Sequence, residues 1–142
     1  MRKVLHIFQR KGKDIIYVDI HTTVLDTLKL MAEKNIGAVV IKDNGKYAGL
    51  LTERDYARKV ILMGKSSGAT EVSEIMSTGL PRITPDTSID TCMRIMAENH
   101  LRYLPVFEND ELEGIISGHD VIKEIVHSQQ EIIDQLHTYI NS

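Results

Sequence analysis

Two short stretches hold the residues best suited to chemistry: GLLTERDY (Gly49–Tyr56) and GIISGHDV (Gly114–Val121). In each, a hydroxyl residue, Thr52 or Ser117, is followed three positions later by an acid, Asp55 or Asp120. A carboxylate can accept hydrogen bonds from both vicinal hydroxyls of a ribose, and the neighbouring hydroxyl can add a third contact. Arg54 and His119 occupy equivalent positions just before the acids, and Arg58 and Lys123 follow them by four residues. A cation in the first turn of a helix opposes its dipole at a cost of about 0.3–1 kcal/mol. Like charges four apart also repel slightly. Backbone amides at a helix start favour anions, so such a cluster suits a phosphate. An apolar strand edge can then hold a base, with backbone groups reading its polar rim. Hydroxyl, acid, cation and aliphatic wall together describe a nucleoside phosphate site. The same spacing also fits a plain folding rule: a hydroxyl followed by an acid three residues on is a capping box. Arg54, flanked by Glu53 and Asp55, also fits a surface salt network.

These residues are positioned by a duplicated unit. Shifted by 65 residues, the chain matches itself without a gap from Val18 to Tyr56: Thr22 falls on Thr87, MAE at 31–33 on MAE at 96–98, Gly49 on Gly114 and Asp55 on Asp120. An internal repeat of this length is read before anything else, and two copies are too few for a solenoid. Each copy opens with a short extended piece, Ile15–Val18 or Arg82–Ile83. A helical stripe follows, with Val24, Leu28 and Met31 in one copy and Ile89, Met93 and Met96 in the other, and Thr22 or Thr23 as the first cap. Next come the strand runs AVVIK and YLPVF, the turns DNGK and ENDE, the second strands YAGLLT and LEGIIS, and a closing helix. Asn44-Gly45 is a strong hairpin signal. The unit reads β-α-β-β-α. The predicted fold is α/β (α+β), two pseudo-twofold-related repeats packed sheet to sheet.

The boundaries follow: an N-terminal segment 1–13, repeat one 14–63, a Gly/Ser/Thr-rich linker 64–76, repeat two 77–127 and a C-terminal helical extension 128–142. Apolar residues at 122, 125, 126, 132, 133, 136 and 140 predict an amphipathic helix that runs past the repeat. Two readings share that tail: contact with a second subunit, or packing on the N-terminal segment.

The 142 residues are 42% hydrophobic and 26% charged, which fits a folded, water-soluble domain. A net charge of -3 argues against a nucleic-acid binder. No apolar run approaches the roughly 18 residues of a membrane helix, and the start lacks a signal-peptide core. One cysteine, Cys92, precludes an internal disulfide and makes a reducing cytoplasm the expected compartment. None of the six histidines pairs at the spacing of helical zinc ligands, so no metal is expected. Cys92 has no evident base beside it and reads as a small packing residue. The methionines at 31, 93 and 96 follow core spacing, and KDNGK lacks the later ligands of a calcium loop.

The repeated GLLTERD and GIISGHD, with LMAEKNIGAVV, TERDYARKV and LRYLPV, resemble the cystathionine-β-synthase (CBS) domain over about residues 14–127. They look most like the small stand-alone bacterial proteins that carry a tandem CBS pair, or Bateman module. The resemblance implies two pseudo-symmetric sites, in a cleft between the repeats, for AMP, ADP, ATP, NAD or S-adenosylmethionine. Asp55 and Asp120 would hold ribose beside Thr52 and Ser117. Arg54, Arg58, Lys59, Arg102 and His119 would take phosphates. Ile20, Gly37, Ala38 and Val39 would line one base, and Pro85, Tyr103, Leu104 and Pro105 the other. Gly37 faces Arg102 in the internal alignment, and Ala38 faces Tyr103, so the two pockets should differ in affinity. The resemblance also implies a homodimer, which the amphipathic tail fits.

The expected function is a non-catalytic regulatory module that senses a nucleotide and signals to a separate regulated protein. No nucleophile with its base, metal set or Gly-rich phosphate loop supports the alternative of an enzyme. A scaffold without ligand is the other alternative.

Overall fold

The computed structural model describes residues 1–141. The chain divides into two compact units, one spanning Ile15–Leu80 and the other joining Met1–Asp14 to the chain from Pro81 onward.

In the first unit, β1 (Tyr17–Asp19) runs parallel to β2 (Ala38–Asp43), which is antiparallel to β3 (Lys46–Thr52). Between β1 and β2 lies α2 (Val24–Lys34); α1 (Val4–Lys11) belongs to the other unit. Thr23 Oγ1 caps α2 by accepting the Asp26 N–H at 3.1 Å, and Asn35 ends the helix in the left-handed region at φ 54°. The β2–β3 turn is Asn44-Gly45, with φ 51° and 79°, as a two-residue hairpin requires. After β3 come α3 (Glu53–Tyr56) and a π-helical turn at Ala57–Ile61. Val24, Met31, Val39, Ile41, Leu51 and Val60 form the core.

The second unit repeats the plan. Ser88 Oγ caps α4 (Ile89–Asn99), and β4 (Tyr103–Glu108) pairs with β5 (Glu111–Ser117) in the same register as β2 with β3. Both hairpins carry an irregularity at the matching place, Ile41/Lys42 and Val106/Phe107. α5 (Gly118–Asn141) replaces the short closing helix of the first unit.

The sequence-derived plan departs from the structure at four places. The extended piece Arg82–Ile83 is only a bridge, Ile83 to Val106, because Pro81 and Pro85 beside it have no N–H to give a ladder. The segment read as a linker, 64–76, ends in a 3-10 turn (Val72–Glu74), and Val72 and Ile75 are buried in the first unit's core. Met93 is 45% exposed; Cys92 takes the inward position between Ile89 and Met96. Burial pushes the Cys92 thiol up to about 11, so it stays protonated at neutral pH. Finally, the N-terminal segment holds α1 (Val4–Lys11), whose Val4, Ile7 and Phe8 are buried in the second repeat's core.

The segment ahead of each repeat therefore packs on the other repeat. Val72 donates to the Thr22 carbonyl and Glu71 bridges Thr23; Val4 donates to the Thr87 carbonyl and Lys3 bridges Ser88. This exchange explains the two echoed glycines. A Cβ on Gly49 would lie 2.6 Å from the Ser77 carbonyl oxygen, and one on Gly114 would lie 3.0 Å from the Phe8 ring. In both repeats the preceding segment crosses the sheet where only a glycine leaves room.

Candidate functional site

Each acid stands at the corner where the last strand of its repeat becomes a helix. In the first unit, Thr52 and Asp55 form a complete capping box. The Thr52 N–H donates to Asp55 Oδ2 at 3.0 Å, and the Asp55 N–H donates to Thr52 Oγ1 at 3.1 Å. The Thr52 hydroxyl also reaches Oδ2 at 3.1 Å. The other oxygen, Oδ1, accepts the Ser77 hydroxyl at 2.8 Å and lies 2.9 Å from Lys59 Nζ. A carboxylate has about four acceptor positions. These four donors fill them, and Asp55 is 5% exposed.

In the second unit the Ser117 N–H donates to Asp120 Oδ2 at 2.8 Å, and the Asp120 N–H donates to Ser117 Oγ at 3.0 Å. Lys11 Nζ, at the end of α1, reaches the same Oδ2 at 2.8 Å and the Ile115 carbonyl at 2.9 Å. Among the described residues no hydrogen bond falls on Asp120 Oδ1. Burial pushes the Asp120 carboxyl up, but the Lys11 ammonium and the Ser117 N–H outweigh it and hold the group below its ordinary range.

The structure brings several of the sequence-predicted site residues together. Ala38 pairs with Thr52, and Tyr103 with Ser117, so each candidate base wall starts opposite the hydroxyl of its own unit. Ala38 and Pro105 are buried outside the core clusters, on the strand faces opposite Val39 and Leu104. Val39 and Leu104 are fully buried inside those clusters, so only their backbone groups can meet a ligand. Ile20 packs half-buried against the first core. The Gly37 carbonyl accepts the Glu53 N–H, and the Pro85 carbonyl accepts the Leu5 N–H from α1. Of the phosphate candidates, Lys59 is held by Asp55 and by the Ile75 carbonyl at 3.0 Å. Arg58, Arg102 and His119 are exposed, and Arg54 is half-buried in α3.

Lys11, Ser77 and Glu124 are important residues that the sequence reading missed. Glu124 occupies the position that corresponds to Lys59 under the 65-residue shift. It is 1% exposed and faces Arg10 Nε at 2.9 Å and Arg2 Nε at 3.5 Å. Arg2 and Arg10 also pair with Glu131. Where repeat one carries its cation within the closing turn, repeat two carries an acid there, and the N-terminal segment supplies the cations. The signal was legible in part: Asp120 and Glu124 place like charges four apart on one helix, which calls for a positive partner from elsewhere.

Among the described residues, no three of His, Cys, Asp or Glu gather into a metal-binding group. No helix there is long and apolar enough to cross a membrane.

The family model of the CBS domain matches twice, over residues 3–61 and 72–127. Both matches begin within the exchanged segments. Two CBS domains in one chain define a CBS-pair protein. The chain belongs to the CBS-domain family. It is 35% identical to the mitochondrial CBS domain-containing protein CBSX3 of Arabidopsis thaliana, over 94% of this chain and 69% of that one. A CBS-domain protein of Burkholderia ambifaria MC40-6, described provisionally as a signal-transduction protein, is 42% identical with a TM-score of 0.85, covering 89% of this chain and 96% of that one. The CBS-domain containing protein ATU1752 of Agrobacterium tumefaciens is 34% identical with a TM-score of 0.81, covering 85% and 97%.

Proposed function

We propose that this chain is a non-catalytic sensor. It binds an adenosine-containing nucleotide, of the AMP, ADP, ATP or NAD class, at the acid-bearing corner of a CBS repeat and signals to a separate partner. One observation carries the reading: a hydroxyl and an acid stand together at the strand-to-helix corner in both repeats, each beside a paired strand start and each acid held by a lysine. The capping boxes do not remove that capacity equally. Asp55 has its acceptor positions filled from within its unit, whereas Asp120 keeps Oδ1. A diol can use Asp120 without breaking its capping bonds, but at Asp55 it must displace Lys59 or Ser77. The second repeat is therefore the stronger site, and Asp55 serves mainly to lock the first repeat's corner.

A thermal-shift panel of AMP, ADP, ATP, NAD, NADH and S-adenosylmethionine tests the reading. A ligand at 100 times its dissociation constant stabilises the fold by about 2.7 kcal/mol. The expected result is a clear upward shift with at least one adenylate, lost in Asp120→Ala and largely kept in Asp55→Ala once each variant's own melting point is subtracted. A flat panel would leave the scaffold reading standing.

The sensor works as a homodimer. Along its length α5 leaves Ile122, Val126, Ile133, Leu136 and Ile140 on one stripe, each 46–75% exposed. An exposed apolar stripe of that kind, interrupted only at Gln129, marks an association surface. Light scattering coupled to size exclusion should report twice the 16.1 kDa chain mass. Leu136→Glu should shift the protein toward monomer, and a wild-type monomer at micromolar concentration would rule the dimer out.

A further inference from the structure

We infer that α5 pairs in parallel and in register with α5 of a second copy of this chain, as a short coiled coil in which Gln129 bonds its own counterpart. The inference rests on the homodimer reading above and adds how the two chains meet. From Ile122 the exposed stripe advances by four, three, four, three and four residues, through Val126, Gln129, Ile133 and Leu136 to Ile140. That alternation is the heptad spacing of a coiled-coil seam. Val126, Ile133 and Ile140 take the a positions, and Ile122, Gln129 and Leu136 the d positions. In parallel coiled coils, β-branched residues at a beside leucine at d favour two strands. The rest of the unit leaves this seam free. Glu124 and Glu131, seven residues apart on the opposite side of the helix, are both held by Arg2 and Arg10 of the N-terminal segment. Val121 and Glu124 are buried, and Ile125 packs on the second repeat's core, so the anchored face fixes which face points outward.

Gln129 decides the orientation. In a parallel pair in register each seam residue meets its own copy, so two Gln129 amides face each other. Each amide carries donors and an acceptor, and the pair satisfies itself. In an antiparallel pair, a positions face d positions. The antiparallel alignment that covers the whole stripe sets Ile122 against Ile140, Val126 against Leu136 and Gln129 against Ile133. Gln129 would then be buried against an isoleucine with no partner, a penalty the parallel pair avoids. The flanks do not override this choice. Lys123 is the only Lys, Arg, Asp or Glu at a flanking e or g position, so neither orientation sets fixed like charges against each other. The helix also fits poorly on an anionic lipid surface, because after Lys123 it carries Glu131 and Asp134 but no Lys or Arg. Alone, a helix of this length is marginal in water. Here its first turns are already packed in the second repeat's core, so association has less chain to order.

Disulfide trapping of the full chain in a glutathione redox buffer tests this, with light scattering on the same samples. Cys92 is the one native cysteine and is fully buried, so wild type serves as the unreactive control. Positions 126, 129 and 136 are exposed on the single chain, so substitutions there leave its core intact. Leu136→Cys alone should form a covalent dimer, because position 136 meets itself only in the parallel pair. In an equal mixture of Val126→Cys and Leu136→Cys, mass spectrometry should find the 126–136 disulfide about tenfold or more below the two like-with-like disulfides, the discrimination expected from one unpaired buried amide. Gln129→Leu removes that penalty and should raise the 126–136 product about tenfold. A dimer that gives mainly the 126–136 disulfide, or no disulfide at either position, would overturn the inference and leave the homodimer reading intact. An unchanged 126–136 fraction in Gln129→Leu would overturn the role given to Gln129. A wild-type monomer at micromolar concentration, whether free or sedimenting with phosphatidylserine vesicles, would bring down the homodimer reading and this inference together.

Discussion

Replacing Arg2 and Arg10 together by alanine should cost about 3 kcal/mol of stability, because Glu124 would be left buried without a counter-charge. Glu124 is 1% exposed, and both arginines lie within 3.5 Å of its carboxylate. Oε1 accepts no hydrogen bond among the described residues, so the acid depends on charge more than on hydrogen bonding. The two arginines are themselves partly exposed, which places the loss at the lower end of the range for a broken buried pair. Adding Glu124→Leu to the double variant should recover most of the loss, since an apolar side chain of similar size needs no partner. Urea midpoints of the wild type, double and triple variants measure both effects. A double variant within 1 kcal/mol of wild type would mean that water, not arginine, satisfies Glu124.

Phe8→Ala should be the second large loss, at about 3–5 kcal/mol, the usual range for deleting a core phenylalanine. Phe8 is 6% exposed and its ring covers Gly114, with no room for a Cβ between them. The same contact gives a second, opposite test. Gly114→Ala should destabilise the wild type through the 3.0 Å clash with that ring, but should cost little in the Phe8→Ala background, where the space is open. Additive effects in this double-mutant cycle would show that Phe8 does not pack on Gly114. Because Phe8 anchors the helix that ends in Lys11, Phe8→Ala should also weaken nucleotide binding at the second repeat.

Both predictions concern the N-terminal segment that holds α1, the part of the fold that sequence reasoning described least well. The repeat itself was legible because side-chain periodicity and turn chemistry are local. Thr23 and Ser88 cap, Asn44-Gly45 turns, and the strand runs lie where β-branched and aromatic residues gather. The capping boxes at Asp55 and Asp120 were also legible, since hydroxyl and acid stand three apart and meet through one helical turn. The tail was legible as a helix. One face of its start packs on the N-terminal segment through Glu124, while an apolar stripe that begins at Ile122 stays exposed.

What one-dimensional spacing could not show is which segment crosses which sheet. Residues 1–13 read as a segment outside the repeat, and 64–76 as a linker because it is rich in Gly, Ser and Thr. Each nevertheless contributes to a core, and each brings a partner to a motif acid: Lys11, within the first segment, to Asp120, and Ser77, the residue directly after the second, to Asp55. Such contacts span 22 and 109 residues, distances over which no local pattern constrains the chain.

By itself the sequence determined that two like units exist, where their helices and hairpins begin, and that each places an acid at a strand-to-helix corner. Those features arise from backbone preferences and hydrogen bonds a few residues apart. Only the tertiary structure decided that the two acids are unequal, one filled from all sides and one keeping an oxygen. That difference depends on which distant side chains the packing of apolar surfaces carries to each corner.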